Sequence, residues 1–257
     1  MKVTVLGCGG SGGVPLVGGD WGACDPQNPR NRRRRVSILV ETRGKVLLID
    51  TSPDLRAQLL DAGVERIDAV LFTHHHADHC HGLDDLRMLV YRRRAPIPAF
   101  MDAETRAELT LRFAYAFTSS SDDEGLYRPL LDDRIAQCAF EAAGVPVTAF
   151  EQIHGAGRSL GFRIGGLAYS TDVSELDDAA FEALAGVRLW IVDCLQDGQH
   201  PTHSHTERTL GWIARLRPER ALLTHMNHKL DYAELKARCP AGVEPAYDGQ
   251  VLELAEA

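Results

Sequence analysis

The feature that most constrains this chain is a group of metal-ligand side chains that directly follows a hydrophobic segment. Residues 69–72 are predicted to form a buried strand, and the six residues from position 74 then supply His74, His76, Asp78 and His79. Proteins of mixed α/β structure place their chemistry at the carboxyl ends of strands. Alternating histidines can point the same way from a turning backbone, while the Asp-His pair can reach a second ion. Imidazole and carboxylate ligands suit Zn, Mn or Fe, so the pattern predicts a metal site.

The other histidines are also clustered. All eleven follow residue 73, and ten of them lie in the segments 74–81, 200–205 and 225–228, while His154 stands alone. Histidines kept only for packing would be scattered, whereas metal ligands come from loops that converge on one place. The distribution therefore indicates a site built from several distant segments.

A second ion requires further ligands, because two metal ions about 3.5–4 Å apart are held by shared protein groups. His154, Asp172 and His225 each end a strand-like segment, and the carboxylate of Asp172 can bridge both ions. Any one of them alone would more readily be a satisfied polar residue, but their joint placement favours ligands. His75, at the intervening position of the motif, and His81 are expected to support the ligands or to pack rather than to bind metal.

The size and composition predict one globular domain over residues 1–257, with a polar loop or lid near 118–130. A net charge of -8 argues against a nucleic-acid polymer as partner. Six cysteines without a C-x-x-C pair indicate reduced thiols. No secretory signal is evident, and no apolar run reaches the about 18 residues of a membrane helix. We therefore expect a cytoplasmic protein without a membrane partner.

Periodicity predicts a mixture of strands and helices. The predicted strands cover 3–6, 36–40, 46–49, 69–72, 147–150, 167–171, 189–192, 221–223 and 251–254. The predicted helices cover 53–62, 103–117, 176–184, 206–216 and 232–238. Strand pairs come early and β-α alternation follows, which is typical of a protein with mixed sheets.

These residues resemble the metallo-β-lactamase superfamily, in which an H-x-H-x-D-H motif is followed by a lone histidine, a bridging aspartate and a late histidine. The resemblance extends from the glycine-rich segment 6–15 to residues 247–249. It implies an α+β fold, a four-layer αββα sandwich with the metals at one edge of the sheets. It also implies that Asp50, at the end of the second strand pair, orients the motif loop rather than binding metal.

Within the superfamily the chain is most similar to the PhnP-type phosphodiesterases, which hydrolyse cyclic ribose phosphates. The matching features are Gly-Val-Pro at 13–15, Asn-Arg-Arg at 31–33, Tyr-Ser-Thr-Asp at 169–172, Pro-Thr-His at 201–203 and Leu-Thr-His-Met-Asn-His at 223–228. By that likeness one ion is held by His74, His76, His154 and Asp172, and the other by Asp78, His79, His225 and the shared Asp172. Such proteins often carry a structural zinc as well. Here only Cys24 and His228 remain of its ligands, so we predict that this zinc is absent and that Trp21 packs in its place.

The resemblance predicts a binuclear metal-dependent hydrolase with two divalent ions, Zn or Mn or else Fe. Its expected substrate is a small cyclic phosphodiester, which a metal-bridging hydroxide would attack. Asp78 is expected to orient the attacking water, and His203 to act as general acid, with His205 and His200 as alternatives. The arginine runs 32–35 and 92–94 either clamp phosphate or form a solvated edge. A homodimer is the assembly that the resemblance favours.

The same residues are also compatible with other functions. A thioesterase or a lactonase of the same superfamily is the first alternative, because a fold and its metals do not by themselves decide the substrate. Ribonuclease Z-like RNA processing is a second, disfavoured by the acidic charge balance. A metal-binding protein without catalysis is the third.

Overall fold

Residues 1–118 and 128–255 are described by a computed structural model of the 257-residue chain. Most of the polar loop predicted near 118–130 lies outside these residues. None of the helices in the described ranges is both long and apolar enough to cross a lipid bilayer.

Strands account for most of the regular structure around the core. In chain order the first six are β1 (Lys2–Gly7), β2 (Ser37–Thr42), β3 (Lys45–Ile49), β4 (Ala69–Leu71), β5 (Ile97–Met101) and β6 (Leu131–Ile135). They are followed by β7 (Ala139–Ala142), β8 (Val145–His154), β9 (Gly157–Ile164), β10 (Leu167–Ser170), β11 (Leu189–Asp193), β12 (Arg220–Thr224), β13 (Val243–Pro245) and β14 (Val251–Glu253).

The helices connect these strands. They are α1 (Leu55–Asp61), α2 (Ala77–Cys80), α3 (Arg87–Arg93), α4 (Ala103–Arg112), α5 (Ala114–Phe117), α6 (Asp178–Leu184), α7 (Thr206–Leu216) and α8 (Tyr232–Arg238), with 3-10 turns at Pro29–Asn31 and Leu83–Leu86. Aspartate side chains cap the starts of α4, α6 and α8 by accepting backbone N–H groups.

Over the described residues the strands form two seven-stranded sheets. Their orders are β14-β1-β2-β3-β4-β5-β6 and β13-β12-β11-β10-β9-β8-β7. Strands β3 to β6 run parallel in the first sheet, and β10 to β13 run parallel in the second. In each sheet the carboxyl ends of several neighbouring strands therefore meet at one edge.

The near-continuous apolar sequence of β2 and β3 follows from burial on both faces. Because successive side chains of a strand point to opposite faces, Ile38 and Leu47 join the core between the sheets, while Leu39 and Leu48 join a second core under the outer helices. Leu55 of α1 lies in that outer core. On the other side, the core between the sheets continues to apolar residues of α6, α7 and α8. The predicted four-layer αββα sandwich is confirmed.

Two details differ from the sequence-based expectation. The single helix predicted over 103–117 is wrong, because Phe113 leaves the helical conformation with φ of -125° and ψ of 43° and its ring packs on His81. Strands β5, β6, β7, β9 and β13 were not predicted. The sequence of β6, Leu-Asp-Asp-Arg-Ile, carries charges because the strand lies at a sheet edge, where charged residues discourage pairing with other chains.

Candidate metal centre

The candidate site lies where strand ends of both sheets meet. Asp50 follows β3, Asp172 comes shortly after β10, and His225 follows β12. These three residues have positive φ angles of 62°, 53° and 59°. A residue with a Cβ keeps such a conformation, at a cost of about 1–3 kcal/mol, only where the surrounding structure determines it. The sharp turn at each position aims the side chain across the edge of its sheet.

Asp50 fixes the motif loop. Its Oδ1 accepts the backbone N–H of Thr73 at 2.8 Å, and its Oδ2 accepts the Thr73 hydroxyl at 2.8 Å and His79 Nδ1 at 2.7 Å. Both carboxylate oxygens of Asp50 therefore bind groups of the motif loop, which is the orienting role that the resemblance implies. Since the one hydroxyl proton of Thr73 goes to Asp50, His74 Nδ1 is the donor to Thr73 Oγ1 at 3.0 Å. The Nε2 atoms of His74 and His79 are consequently directed away from Thr73 and Asp50, toward the centre.

One group of side chains that can hold a metal ion consists of His74, His76, His154 and Asp172, whose ligand atoms all lie within 4.8 Å of one another. His154 Nε2 lies 3.4 Å from His76 Nδ1, and Asp172 Oδ1 lies 3.7 Å from His74 Nε2. His154 donates its other ring nitrogen, Nδ1, to the carbonyl of Thr202 at 2.7 Å. That bond turns its Nε2 toward the group.

A second group consists of Asp78, His79, Asp172 and His225, again with ligand atoms within 4.8 Å of one another. Asp172 Oδ2 lies 3.0 Å from His79 Nε2 and 3.4 Å from His225 Nε2. His225 Nε2 is also 3.4 Å from Asp78 Oδ2. Oδ1 of Asp172 faces the first group and Oδ2 faces the second, so the two groups share its carboxylate.

The donor set fits divalent cations. His74 Nε2 and His79 Nε2 are buried and have no hydrogen-bond partner among the described atoms. Buried polar atoms are nearly always satisfied, so lone pairs left unpaired in this way call for an external partner. Mixed imidazole and carboxylate ligands suit Zn, Mn or Fe. The side chains named in the sequence as ligands are therefore brought together in two groups that share one carboxylate.

The charges of the centre are strongly coupled. Burial lowers the pKa of His74 well below its ordinary value, so this imidazole is neutral and able to bind metal. Burial raises the pKa of Asp172, but the facing imidazoles of His225, His79 and His74 outweigh it and hold that pKa well below the usual range. Burial also acts to lower the pKa of His225, and Asp172 and Asp78 nevertheless raise it to about 9. Without ions the centre therefore retains protons that metal binding must displace.

His203 lies beside both groups. Its Nδ1 donates to Asp193 Oδ2 at 2.9 Å, its Nε2 lies 3.8 Å from Asp172 Oδ1, and its ring stacks on His225 with centroids 4.6 Å apart. Asp193 is fully buried, and its Oδ2 also accepts the backbone N–H of Val173 at 2.9 Å. The ring is therefore held with Nε2 facing the shared carboxylate.

Asp193 was not recognised from the sequence. It ends β11 in the same manner in which His154 ends β8, so the signal was present. Asp193 also forms a third group of potential metal ligands with His203 and His225. That group overlaps the second one through His225, and its hydrogen bond between Asp193 and His203 has the geometry of a positioning contact.

The remaining histidines lie around the centre. His75 turns outward, with its carbonyl accepting Arg112 Nη1 at 2.8 Å. His200, the outer neighbour of His203, has its ring centroid 5.2 Å from that of His203. His205 precedes α7, and its backbone forms a bridge with Gln196 in the neighbouring loop.

The segment around Cys24 contacts the late histidine segment. Gly22, with φ of 54°, lies against the ring of His228, and Cys24 Sγ donates to Leu230 O at 3.3 Å. Trp21 is half-buried and its ring lies under the guanidinium of Arg32 at 5.1 Å. Among the described residues, no group of three or more potential metal ligands includes Cys24. The absence of a structural zinc stays a prediction.

The arginine run 32–35 does not act as one cationic surface. Arg33 is 2% exposed, whereas Arg34 pairs with Asp61 at 2.6 Å and Arg35 with Asp54 at 3.0 Å. These side chains therefore face three different environments.

The second run, 92–94, lies at the end of α3, just before β5 begins. Arg93 is 3.9 Å from Asp68. Because the candidate site lies beyond the carboxyl ends of the strands, this run is at the opposite edge of the sheet. Its position favours the solvated edge over a phosphate clamp.

Comparison with known proteins agrees with this geometry. The sequence model of the "Beta-lactamase superfamily domain" matches residues 45–226, which include all members of both ligand groups. The crystal structure of "a new diphosphatase from the PhnP family" is similar over 99% of this chain and 98% of that one, with a TM-score of 0.91 and 36% identity.

Two curated relatives are matched over part of their length. The octanoyltransferase of Porphyromonas gingivalis (strain ATCC BAA-308 / W83) is 31% identical over 97% of this chain and 51% of its own length. The ribonuclease Z of Salinibacter ruber is 37% identical over 38% of this chain and 27% of its own length. The chain thus spans about half of the first relative and aligns with about a quarter of the second.

A histidine and aspartate centre at the sheet edges of an αββα sandwich, a superfamily domain that covers most of the chain, and a full-length likeness to a PhnP-family protein all agree. The chain belongs to the β-lactamase superfamily and is similar over nearly its whole length to a diphosphatase of the PhnP family.

Proposed function

We propose that this protein is a binuclear phosphodiesterase that hydrolyses small phosphodiesters, including cyclic ones. The observation that carries the proposal is the Asp193–His203 pair, whose imidazole faces the carboxylate shared by the two ligand groups. Hydrolysis of an alkyl phosphodiester releases a strongly basic alkoxide, which needs a proton from a positioned acid. Hydrolysis of a thioester, or of any ester with a weakly basic leaving group, depends much less on such a proton.

The two ligand groups indicate which residues would hold each cation. His74, His76 and His154 would hold one ion, Asp78, His79 and His225 the other, and Asp172 both. Bound divalent cations supply a nucleophile at neutral pH by lowering the pKa of water, and they neutralise charge on the phosphoryl oxygens.

The protein's own side chains then handle protons and orientation. Asp78 is partly exposed, and we assign it the role of accepting a hydrogen bond from the attacking water. His203 donates its Nε2 proton to the departing oxygen. Asp193 retains the proton on Nδ1 and stabilises the ring while it is charged, which keeps the donor nitrogen aimed at the substrate.

A second candidate is hydrolysis of a phosphoanhydride in a small diphosphate-linked substrate. The full-length likeness to a PhnP-family diphosphatase favours it. A phosphate leaving group is far less basic than an alkoxide, so His203 would contribute much less to this reaction. The loss of activity that follows removal of the His203 side chain therefore distinguishes a phosphodiesterase from a diphosphatase.

RNA processing has weaker support. The ribonuclease Z match covers 38% of the chain, and the net charge of -8 opposes attraction of a polyanion. The proposal also includes a cytoplasmic location, a homodimeric assembly and Zn or Mn as the bound metal.

A substrate panel tests the proposal. The metal-free chain is reloaded with Mn²⁺ or Zn²⁺ and assayed on a 2′,3′-cyclic nucleotide, a diphosphate-linked dinucleotide, a precursor transfer RNA, a thioester and a lactone. We expect the cyclic nucleotide to have the highest kcat/KM. Preference for the dinucleotide would establish the second candidate, and preference for the thioester, the lactone or the RNA would refute phosphodiesterase activity on small substrates.

A further inference from the structure

His225 is held in a conformation that its backbone does not favour. Its φ of 59° is unfavourable for a residue with a Cβ. Its Nε2 must nevertheless stay within 3.4 Å of Asp78 Oδ2 and Asp172 Oδ2. The segment that follows His225 must therefore be fixed by other parts of the chain.

Backbone hydrogen bonds fix part of that segment. Met226 donates to Cys8 O at 3.0 Å and accepts the N–H of Gly10 at 3.1 Å. Asn227 donates to Leu195 O at 3.0 Å. Further along, His228 O accepts the N–H of Ala23 at 2.9 Å, and Asn227 O accepts the N–H of Leu230 at 3.4 Å.

One guanidinium binds the carbonyls of both Asn227 and Leu230, and Leu230 O also accepts the thiol of Cys24. Arg33 donates Nη1 to Asn227 O at 3.1 Å and Nη2 to Leu230 O at 2.7 Å. Its Nη2 also lies 3.2 Å from Asn31 Oδ1, and Nη1 lies 4.0 Å from Cys24 Sγ. All four partners are neutral groups around a guanidinium that is 2% exposed. A planar fork spans both carbonyls at once, which the single ammonium of a lysine cannot do.

We propose that Arg33 is a positioning residue for the second ligand group. Its guanidinium closes the 227–230 turn and so keeps His225 in the geometry that an ion requires. None of the histidines of the first group lies on this turn, so loss of the clamp weakens one ion and leaves the other. The inference rests on the two-ion centre proposed above.

The test measures how many ions are bound and how tightly. Metal-free wild-type protein and the Arg33→Lys variant are dialysed against a series of Mn²⁺ concentrations, and bound metal is determined by elemental analysis. We expect two ions in the wild type, and in the variant one ion of unchanged affinity and one weakened by about 10–100-fold, as found for residues that orient metal ligands. Arg32→Lys is the matched control, because its side chain is exposed on Trp21 and should leave both affinities unchanged.

A double-mutant cycle identifies the ligand through which Arg33 acts. His225→Ala should bind the second ion poorly, and adding Arg33→Lys to it should cause no further loss, because both changes remove the same contact. Additive losses, or equal weakening of both ions by Arg33→Lys, would overturn the assignment. A wild-type chain that binds fewer than two ions would instead refute the two-ion centre.

If Arg33→Lys does not fold, the wild type still provides a test. The guanidinium protons of Arg33 are followed by NMR while a diamagnetic ion, Zn²⁺, is added in two equivalents. We expect these signals to change with the equivalent that occupies the His225 group and not with the other. Signals that stay constant through both additions would contradict the proposal.

Discussion

At the scale of single residues, three imidazoles of the centre are oriented through the ring nitrogen that faces away from it. His79 is held by Asp50, His154 by the carbonyl of Thr202, and His203 by Asp193. Each of these bonds leaves the opposite nitrogen directed at the centre. Such supporting contacts fix the tautomer and reduce the entropy lost when an ion or a substrate binds.

The first prediction concerns His203. We expect His203→Ala to lower kcat on an alkyl phosphodiester by about 10²–10⁴-fold, because general acid catalysis contributes that much. On bis-nitrophenyl phosphate the loss should be far smaller, since nitrophenolate leaves without a proton. Steady-state kinetics on both substrates provide the measurement.

His205→Ala is the control for this comparison, because His205 lies at the start of α7. It should leave the ratio of the two rates unchanged. Equal losses on the two substrates in His203→Ala would exclude His203 as the general acid.

The second prediction concerns His225 in the metal-free protein. Its pKa of about 9, above the ordinary 6.5, means that the folded state holds a proton more tightly than the unfolded state does. The resulting stability is fully present below pH 6.5 and is lost as the pH rises through 9. The difference between the two pKa values corresponds to about 3 kcal/mol. The pKa of His79 is also raised and acts in the same direction.

Urea unfolding in EDTA at pH 7, 8 and 9.5 measures this effect. The pKa of Asp248 is raised by burial to about 6, so this carboxyl group titrates below the window and does not obscure it. His225→Gln should reduce the dependence on pH. A free energy of unfolding that stays constant or rises between pH 7 and 9.5 would contradict the assignment.

Sequence reasoning found four candidate ligands through their local spacing in the motif and the other three because each ends a strand-like segment. Asp193 also ends a strand, but it was missed because its pairing with His203, ten residues later, is visible only in the fold. The positive φ angles at Asp50, Asp172 and His225 could not be predicted either, because the sequence does not indicate this conformation at a non-glycine residue.

At the scale of elements, strands that are apolar on both faces were predicted well, whereas several strands that contain proline or charged residues were missed. The apolar runs of β3 and β11 are visible in the sequence because both faces are buried. In contrast, β5 contains Pro98, and β6 and β7 carry charged residues. Their place in a sheet is determined by neighbouring strands rather than by their own composition.

The third prediction concerns the turn between β8 and β9. A Cβ on Gly155, which has φ of 63°, would lie 2.5 Å from Cγ2 of Thr202, the residue whose carbonyl orients His154. We expect Gly155→Ala to destabilise the fold by more than the about 1–2 kcal/mol of a left-handed alanine. We also expect it to weaken the ion held by His154, as measured by Mn²⁺ dialysis.

Gly144→Ala is the matched control, because Gly144 has φ of 84° in the preceding hairpin with nothing within 4 Å of a Cβ. It should lower stability through strain alone and leave both metal affinities unchanged. The same metal affinities in both variants would show that Thr202 does not matter for His154.

At the scale of the whole molecule, the candidate ligands come from both sheets. The His74–His79 segment follows β4 of the first sheet, whereas His154, Asp172 and His225 follow strands of the second. Ions bound between them would join the two halves of the sandwich at one edge, in addition to the apolar core that already lies between the sheets. The geometry of the centre therefore depends on how the sheets pack.

The fourth prediction follows from this arrangement. Saturating Mn²⁺ should raise the free energy of unfolding by about 2.7 kcal/mol for each site occupied at 100 times its Kd. EDTA should reverse the change. Because the apolar core joins the two sheets and the ions would also span them, we expect a single unfolding transition with and without metal, which thermal denaturation followed by calorimetry can show. Two separate transitions would indicate that the sheets unfold independently.

The segment between β11 and α7 carries His203 but none of the candidate ligands of the two groups that share Asp172. In the proposed mechanism, cation binding and protonation of the leaving group are thus encoded in different stretches of the polypeptide. A directed-evolution library for new leaving groups should vary the side chains of residues 196–205 and keep the backbone at Thr202, whose carbonyl orients His154.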